Sequence, residues 1–363
     1  MLLYQSLFPR SLVSLMLATV FTVPLGAQLV CYDGFGEYAA GQLESGSNGS
    51  SGTGLGGGAG WGGAYDVSNG IKSLVKIEDR TSSPVNYANG GISILGGNRA
   101  LRFYDAANGS TYAVQRPLGT IFQAAEGDTL WFSVLFRTAA GGASPLANQD
   151  FFQIGFDDNA EASGGIPRVS IGANTTSTTT FPADYRFFAR SSADASGSAF
   201  YDGGSVAAVT TYLLVGRIQP QDGTYASVSL FVNPSTLGDP GPPSAEAVLS
   251  SGLSTLSHAF IRTFRLDTSD AYVLDEWHVG RDYGSVVQSL EGAFKISAAA
   301  GPESAAVLRW PVPLAGALLE TSTDLAPESW TAVSGPFSVE GAEHRYLAPV
   351  EPEEPRRFFR LRR

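Results

Sequence analysis

Cysteine occurs once in the 363 residues, methionine twice and histidine three times, and charged residues make up only 16% of the chain. A lone cysteine, Cys31, excludes any disulfide within the chain, so packing has to hold the fold. The three histidines, His258, His278 and His344, are too scattered to form a zinc-ligand pattern. Lysine is confined to Lys72, Lys76 and Lys295, and the net charge is −11. That balance argues against a nucleic-acid partner, because phosphate backbones call for clustered Lys and Arg. Beyond the first 27 residues no apolar period of 3.6 is sustained over twelve positions, which excludes a helical architecture. What is abundant points the other way. There are 43 Gly and 20 Pro, 43% hydrophobic residues and 11% aromatics, the composition of a turn-rich β protein with material for a large core.

The amino terminus reads as an export signal. Arg10 precedes the apolar stretch Ser11–Val23, and Pro24-Leu25-Gly26-Ala27 supplies a helix breaker and small residues for cleavage after Ala27. The stretch is short for a membrane span, so no span is expected once the signal is removed. Gln28-Leu29-Val30 lacks the small residue that a lipidated cysteine wants before it, so Cys31 is expected to be a free thiol, buried or partly exposed. The protein is therefore expected outside the cytoplasm, secreted or attached to the cell surface.

From Gly46 to Gly60 the chain is nearly pure Gly, Ser, Asn and Thr, which predicts a flexible loop. Short apolar segments follow, separated by turn signals such as Gln221-Asp222-Gly223 and Asn233-Pro234. In Thr129–Arg137 both alternating faces are apolar, the pattern of a central strand covered on both sides. Many strands without helices imply an all-β antiparallel sandwich or barrel. A new pattern opens near Phe294. Three segments are expected: a signal over 1–27, a β-sandwich over 28–292 and a small β module over 293–363.

Three patches carry a resemblance. The start Tyr32-Asp33-Gly34-Phe35 with its Gly-rich loop and GWGGAY, the pair of strands in Thr211–Pro234, and VLDEWHVGRDYGSVV over Val273–Val287 resemble concanavalin A-like (laminin G-like) jelly-roll domains of planctomycete and verrucomicrobial secreted proteins. The likeness covers roughly Leu29 to Leu290. The carboxyl-terminal stretch, with Trp310, Leu319, Trp330 and Phe359 at apolar positions, resembles a small immunoglobulin- or fibronectin-like β module at the ends of such proteins. The resemblance implies a jelly roll followed by an appendage, and names no ligand.

Chemistry is sparse. A glycosidase on a strand needs carboxylates at alternating positions so that they share a face. Asp275-Glu276 and Glu78-Asp79 are adjacent and point to opposite faces, and no nucleophile elbow is present. The sequence thus leans against an enzyme. For a metal, Asp157, Asp158 and Asn159 form a loop of hard oxygen donors suited to calcium. For carbohydrate, an aromatic platform beside polar groups is required, and Trp61, Tyr185 and Tyr201 are the expected exposed aromatics. The leading expectation is a non-catalytic binding protein for an extracellular glycan. A structural or adhesive envelope protein is the alternative, and a polysaccharide-degrading enzyme a further one.

Overall fold

The computed structural model describes residues 29–46, 53–69, 72–104, 110–138, 151–159, 167–175, 185–191, 198–266, 271–287, 295–298, 305–311, 318–323, 329–335, 337–340, 343–349 and 357–362. The expected signal over 1–27 lies outside the described residues. The strands up to the first turn of the sandwich are β1 (Leu29–Asp33), β2 (Gly41–Gln42), β3 (Asp66–Asn69), β4 (Val75–Asp79), β5 (Tyr87–Asn89) and β6 (Ile92–Ile94). Next come β7 (Arg99–Tyr104), β8 (Ser110–Gln123), β9 (Leu130–Thr138), β10 (Phe151–Asp157), β11 (Val169–Thr175) and β12 (Tyr185–Ser191). The series continues with β13 (Ser198–Phe200), β14 (Thr211–Gln221), β15 (Thr224–Val232), β16 (Ala245–Leu253), β17 (Thr255–Leu266) and β18 (Ala271–Gly280), then helix α1 (Tyr283–Val287).

These strands build two antiparallel sheets. One has nine strands, in the order β16-β15-β14-β9-β18-β7-β4-β2 with β1 also on β18; the other has seven, β13-β12-β11-β10-β17-β8-β3. The chain passes repeatedly between them, as from β7 to β8 to β9 and from β16 to β17 to β18. The fold is thus an all-β antiparallel sandwich of the jelly-roll kind. The inner faces meet through rings: Phe132 lies 4.9 Å from Phe156, and Phe136 lies 4.7 Å from Phe152. Each such buried ring contributes about 1.5–3 kcal/mol through area removed from water.

β9 shows how the sequence dictates its place. Leu130, Phe132, Val134 and Phe136 belong to the central core, while Trp131 and Leu135 lie in a second cluster on the opposite face. That second cluster is roofed by β5, β6 and α1, through Tyr87, Ile92, Ile94, Tyr283, Val286 and Val287. The outer face of the nine-stranded sheet is therefore covered there. The hairpin β14–β15 turns on Asp222-Gly223, both at positive φ (53° and 77°), the two-residue turn that matches strand twist.

The Gly-rich stretch departs from expectation over its described part. Residues 53–60 are pinned rather than loose: Tyr32 pairs with Ala59, Glu44 with Gly54, and Leu55 donates its N–H to Leu43 O. Glycine is required for closeness. Gly60 stands at φ 77°, and a Cβ there would come within 1.7 Å of Val30 O.

The remaining strands are β19 (Lys295–Ala298), β20 (Ala305–Pro311), β21 (Leu318–Ser322), β22 (Thr331–Ala332), β23 (Ser338–Glu340), β24 (Glu343–Pro349) and β25 (Phe358–Arg362). They form two small antiparallel sheets, β19-β20-β24-β23 and β22-β21-β25. Leu308, Trp310, Leu319 and Ala348 share one cluster with Tyr32, so this unit packs against β1.

Candidate functional site

The opening and closing motifs of the sandwich meet, because β1 pairs with β18. Asp33, fully buried, accepts from Arg116 Nη1 at 2.8 Å, Tyr38 OH at 2.7 Å, Tyr65 OH at 2.9 Å and Phe35 N–H at 2.9 Å. Burial lifts the Asp33 carboxyl above its ordinary pKa, and Arg116 foremost among the donors opposes it. Trp61 belongs to the same knot. Its Nε1 donates to Tyr32 O at 3.0 Å, its ring lies 4.9 Å from Trp277, and Arg116 sits 4.8 Å above it. This aromatic is a half-buried packing residue, not the free platform that its glycine neighbours suggested.

Of the other two expected platforms, the structure takes Tyr185 out of reach and leaves Tyr201 partly exposed. Tyr185 is fully buried and its hydroxyl lies 2.6 Å from that of Tyr272. The period of two is the reason: Tyr185, Phe187 and Ala189 of β12 all point into the core. Tyr201 is half-buried against that core, with Gly203 pressed on its ring.

The expected calcium loop is occupied by a cation of the protein itself. Arg168 Nη2 lies 2.6 Å from Asp157 Oδ1 and 2.6 Å from Asp158 Oδ1, and the Arg168 N–H donates to Asp157 Oδ2. Asn159 turns its amide to Asp158 Oδ1. No group of three or more His, Cys, Asp or Glu that could hold a metal occurs among the described residues. Glu276, at φ 50°, accepts from Tyr32 OH at 3.0 Å and lies almost wholly buried, as does Asp275. A bulge in β18 between Asp275 and His278 accommodates this.

A different set of residues collects on the outer face of the seven-stranded sheet. Registers align Phe200, Phe188, Gly172, Gln153, Arg262 and Ala113 in one row across β13-β12-β11-β10-β17-β8. The row beside it runs Ser198, Arg190, Ser170, Gly155, Phe260 and Gln115. On the other side Phe151 pairs with Phe264, and Asn174 with Arg186. Rings and guanidiniums interleave: Arg190 lies 4.8 Å from the Phe188 ring and 5.4 Å from that of Phe151, and Arg262 lies 5.6 Å from Phe151 and 5.4 Å from Phe264. Arg262, Phe264, Asn174, Arg186 and Phe200 are half-buried, whereas Gln153, Phe151 and Phe188 are buried. Gln153 donates from Nε2 to Ser170 Oγ at 2.5 Å, and its Oε1 has no partner among the described residues.

Burial alone lowers the pKa of Arg262. Burial also lowers that of His258, which faces Asp157 across β17 and β10, with Asp157 and Asp158 pulling the other way. Sequence reasoning missed this face although short apolar segments with turn signals mark its strands. Their alternate positions carry Gln153, Arg190 and Arg262, but only pairing shows that these stand side by side.

No family model matches the chain, and no curated protein matches it. Among solved structures it is similar to the globular domain of T. cruzi calreticulin, with 13% identity, 60% of this chain and 84% of that chain covered, and a TM-score of 0.37. Peanut lectin is similar at 14% identity, covering 60% of this chain and 96% of that one, with a TM-score of 0.35. The alginate lyase Aly36B is similar at 13% identity, with 71% and 97% covered and a TM-score of 0.38. Likenesses this distant carry no argument about what the chain binds.

Proposed function

We propose that this is a secreted or cell-surface, non-catalytic carbohydrate-binding protein whose ligand lies on the outer face of the seven-stranded sheet. The observation that carries the reading is that half-buried rings, Phe200 and Phe264, and half-buried polar groups, Arg262, Arg186 and Asn174, share this face. Sugar recognition needs that mixture: apolar faces for the ring and fixed donors and acceptors for its hydroxyls. The outer face of the other sheet is roofed by β5, β6 and α1, which favours the seven-stranded side. The apolar stretch Ser11–Val23 supports export.

A non-catalytic role is supported by the carboxylates on the strands of this face. Asp157 is held by Arg168, and Asp66, three strands away, accepts from Gln115 Nε2 at 2.6 Å. Neither is free to act as an acid or nucleophile, and glycoside hydrolysis needs two such groups about 5–9 Å apart. Calcium has no part in this reading, because Arg168 already neutralises the expected ligands.

The test is a glycan array probed with the full chain, once in calcium and once in a chelator. Binding in both conditions, weakened in Phe264→Ala, is the expected result. Silence across the array overturns the carbohydrate reading and leaves a structural envelope role. Binding that vanishes with the chelator overturns the metal-free site, and cleavage of any bound glycan overturns the non-catalytic assignment.

A further inference from the structure

The chain has 34 acidic residues against 23 Lys and Arg, so a local surplus of cations runs against the balance of the whole. One such surplus lies on the outer face of the nine-stranded sheet, at the margin of the roof made by β5, β6 and α1. Registers set Gln42, Lys76, Arg102, Val273, Arg137 and Thr211 side by side across β2-β4-β7-β18-β9-β14. Strand phase fixes the facing: Ile77, Leu101 and Phe136 belong to the central core, so Lys76, Arg102 and Arg137 point away from it. Arg80 joins them from just beyond the end of β4.

Among the described residues one carboxylate serves these four cations. Glu78 accepts from Arg102 Nη1 at 2.6 Å, from Arg80 Nη1 at 3.2 Å and from Tyr104 OH at 2.9 Å. Asp79, next in the chain, is taken by Arg99. Lys76 and Arg137 have no ion pair among the described residues. The Lys76 ammonium lies 5.4 Å from the Tyr104 ring, and the Arg137 guanidinium donates only to Ser83 Oγ, at 3.4 Å. Burial, and after it the charge of Arg80, lowers the pKa of Arg137. All four cations are half-buried, so an outside group can reach them. Like charges gathered in this way are stabilised by an anion. Lys76 and Arg137 stand three strand spacings apart, about 14 Å, too far for one small anion to touch both. A linear polymer with acidic groups at intervals can place one on each. Exposed Gln42 and half-buried Thr211 extend the row with uncharged hydrogen-bonding groups, which suit sugar hydroxyls. A half-buried row beside a roof also fits a narrow chain better than the plane of a bilayer.

We propose that an acidic polysaccharide crosses this row, with Lys76 and Arg137 each receiving one of its carboxylate or sulfate groups. Arg80 and Arg102, tied to Glu78, add to the local field without being the primary contacts. The site lies on the opposite sheet from the carbohydrate face described above and does not rest on that reading.

Affinity electrophoresis of the full chain provides the test, with polygalacturonate as the carboxylated polymer, dextran sulfate as the sulfated one and a neutral glucan as control. Double-stranded DNA and vesicles of phosphatidylglycerol and phosphatidylcholine stand for the other polyanions. The expected result is retardation by at least one acidic polysaccharide, which weakens as salt is added. Affinity should fall about threefold in each of Lys76→Gln and Arg137→Gln and about tenfold in the double variant, as for partly exposed charge contacts. Arg217→Gln removes one charge from the same sheet outside the cluster, where Arg217 faces Glu246, and should leave the retardation unchanged. A Tm for the double variant equal to that of the unaltered protein shows that its fold is intact. Should it be misfolded, Lys76→Glu replaces it, since Lys76 gives up no ion pair among the described residues, and loss of retardation is again expected. Retardation that is the same in the double variant, or lost equally in Arg217→Gln, overturns the site. Binding to DNA or to vesicles alone overturns the polysaccharide as occupant. Retardation by the neutral glucan alone, or silence toward both acidic polymers, overturns the proposal while the carbohydrate reading is judged by its own array.

Discussion

Removing the cation from beneath the opening motif should unfold the sandwich at neutral pH far more readily than in acid. In Arg116→Met the fully buried Asp33 keeps Tyr38, Tyr65 and the Phe35 N–H but loses its only ion-pair partner among the described residues. Breaking a buried pair from one side costs about 3–5 kcal/mol, because the remaining charge is left uncompensated. Arg116 Nε also donates to Gly63 O at 2.9 Å, and its guanidinium lies 4.4 Å from the Tyr65 ring, so the upper half of that range is expected.

The sign with pH follows from Asp33, whose folded pKa is raised by burial and held back chiefly by Arg116. A carboxyl with a raised folded pKa favours the fold when protonated, and that contribution is lost as pH rises through the folded value. Without Arg116 the pKa climbs further. The cost of the substitution is then largest near pH 7 and shrinks toward pH 4, where Asp33 carries its proton. Urea unfolding followed by tryptophan fluorescence reads this directly, since Trp61 and Trp277 adjoin the pair. Asp33→Asn combined with Arg116→Met should recover about 2–3 kcal/mol relative to the sum of the single changes. A cost below about 1 kcal/mol, strict additivity, or a cost that grows in acid would refute the reasoning.

Three further outcomes are expected. The Cys31 thiol, buried, donating to Gly60 O at 3.1 Å and pushed up to about 12 chiefly by burial, should resist a thiol reagent at pH 8 in the folded protein and react with one equivalent in urea; fast reaction of the folded protein would contradict its placement. Gly60→Ala should destabilise by more than the roughly 1–3 kcal/mol of a left-handed non-glycine residue, because its Cβ would strike Val30 O, and a near-neutral Tm shift would speak against that approach. Phe136→Ala should cost about 3–5 kcal/mol by urea titration, since Phe136 meets Phe152, Phe187 and Tyr272 across the sandwich, and a loss under about 1.5 kcal/mol would mean that the two sheets do not meet there.

Much of the fold could be read from local pattern. The doubly apolar alternation of Thr129–Arg137 marks β9 as a covered central strand, and Asp222-Gly223 marks the β14–β15 hairpin, because side-chain period and turn dihedrals are properties of neighbouring residues. The candidate site was far less legible. Tyr185 reads as an exposed aromatic until the phase of β12 is known, and that phase turns it inward beside Tyr272. Asp157-Asp158-Asn159 reads as an oxygen cluster until Arg168, nine or more residues on, closes over it.

By itself, then, the sequence determined an all-β chain without disulfides, with a core built from strands of alternating character and glycines where backbones must touch. Composition, period and turn chemistry suffice for that, since each acts within a few residues. Only the tertiary structure decided which polar side chains meet. Gln153, Arg190 and Arg262 lie on strands separated by up to about a hundred residues of chain, and antiparallel registers that no local signal specifies bring them onto one face.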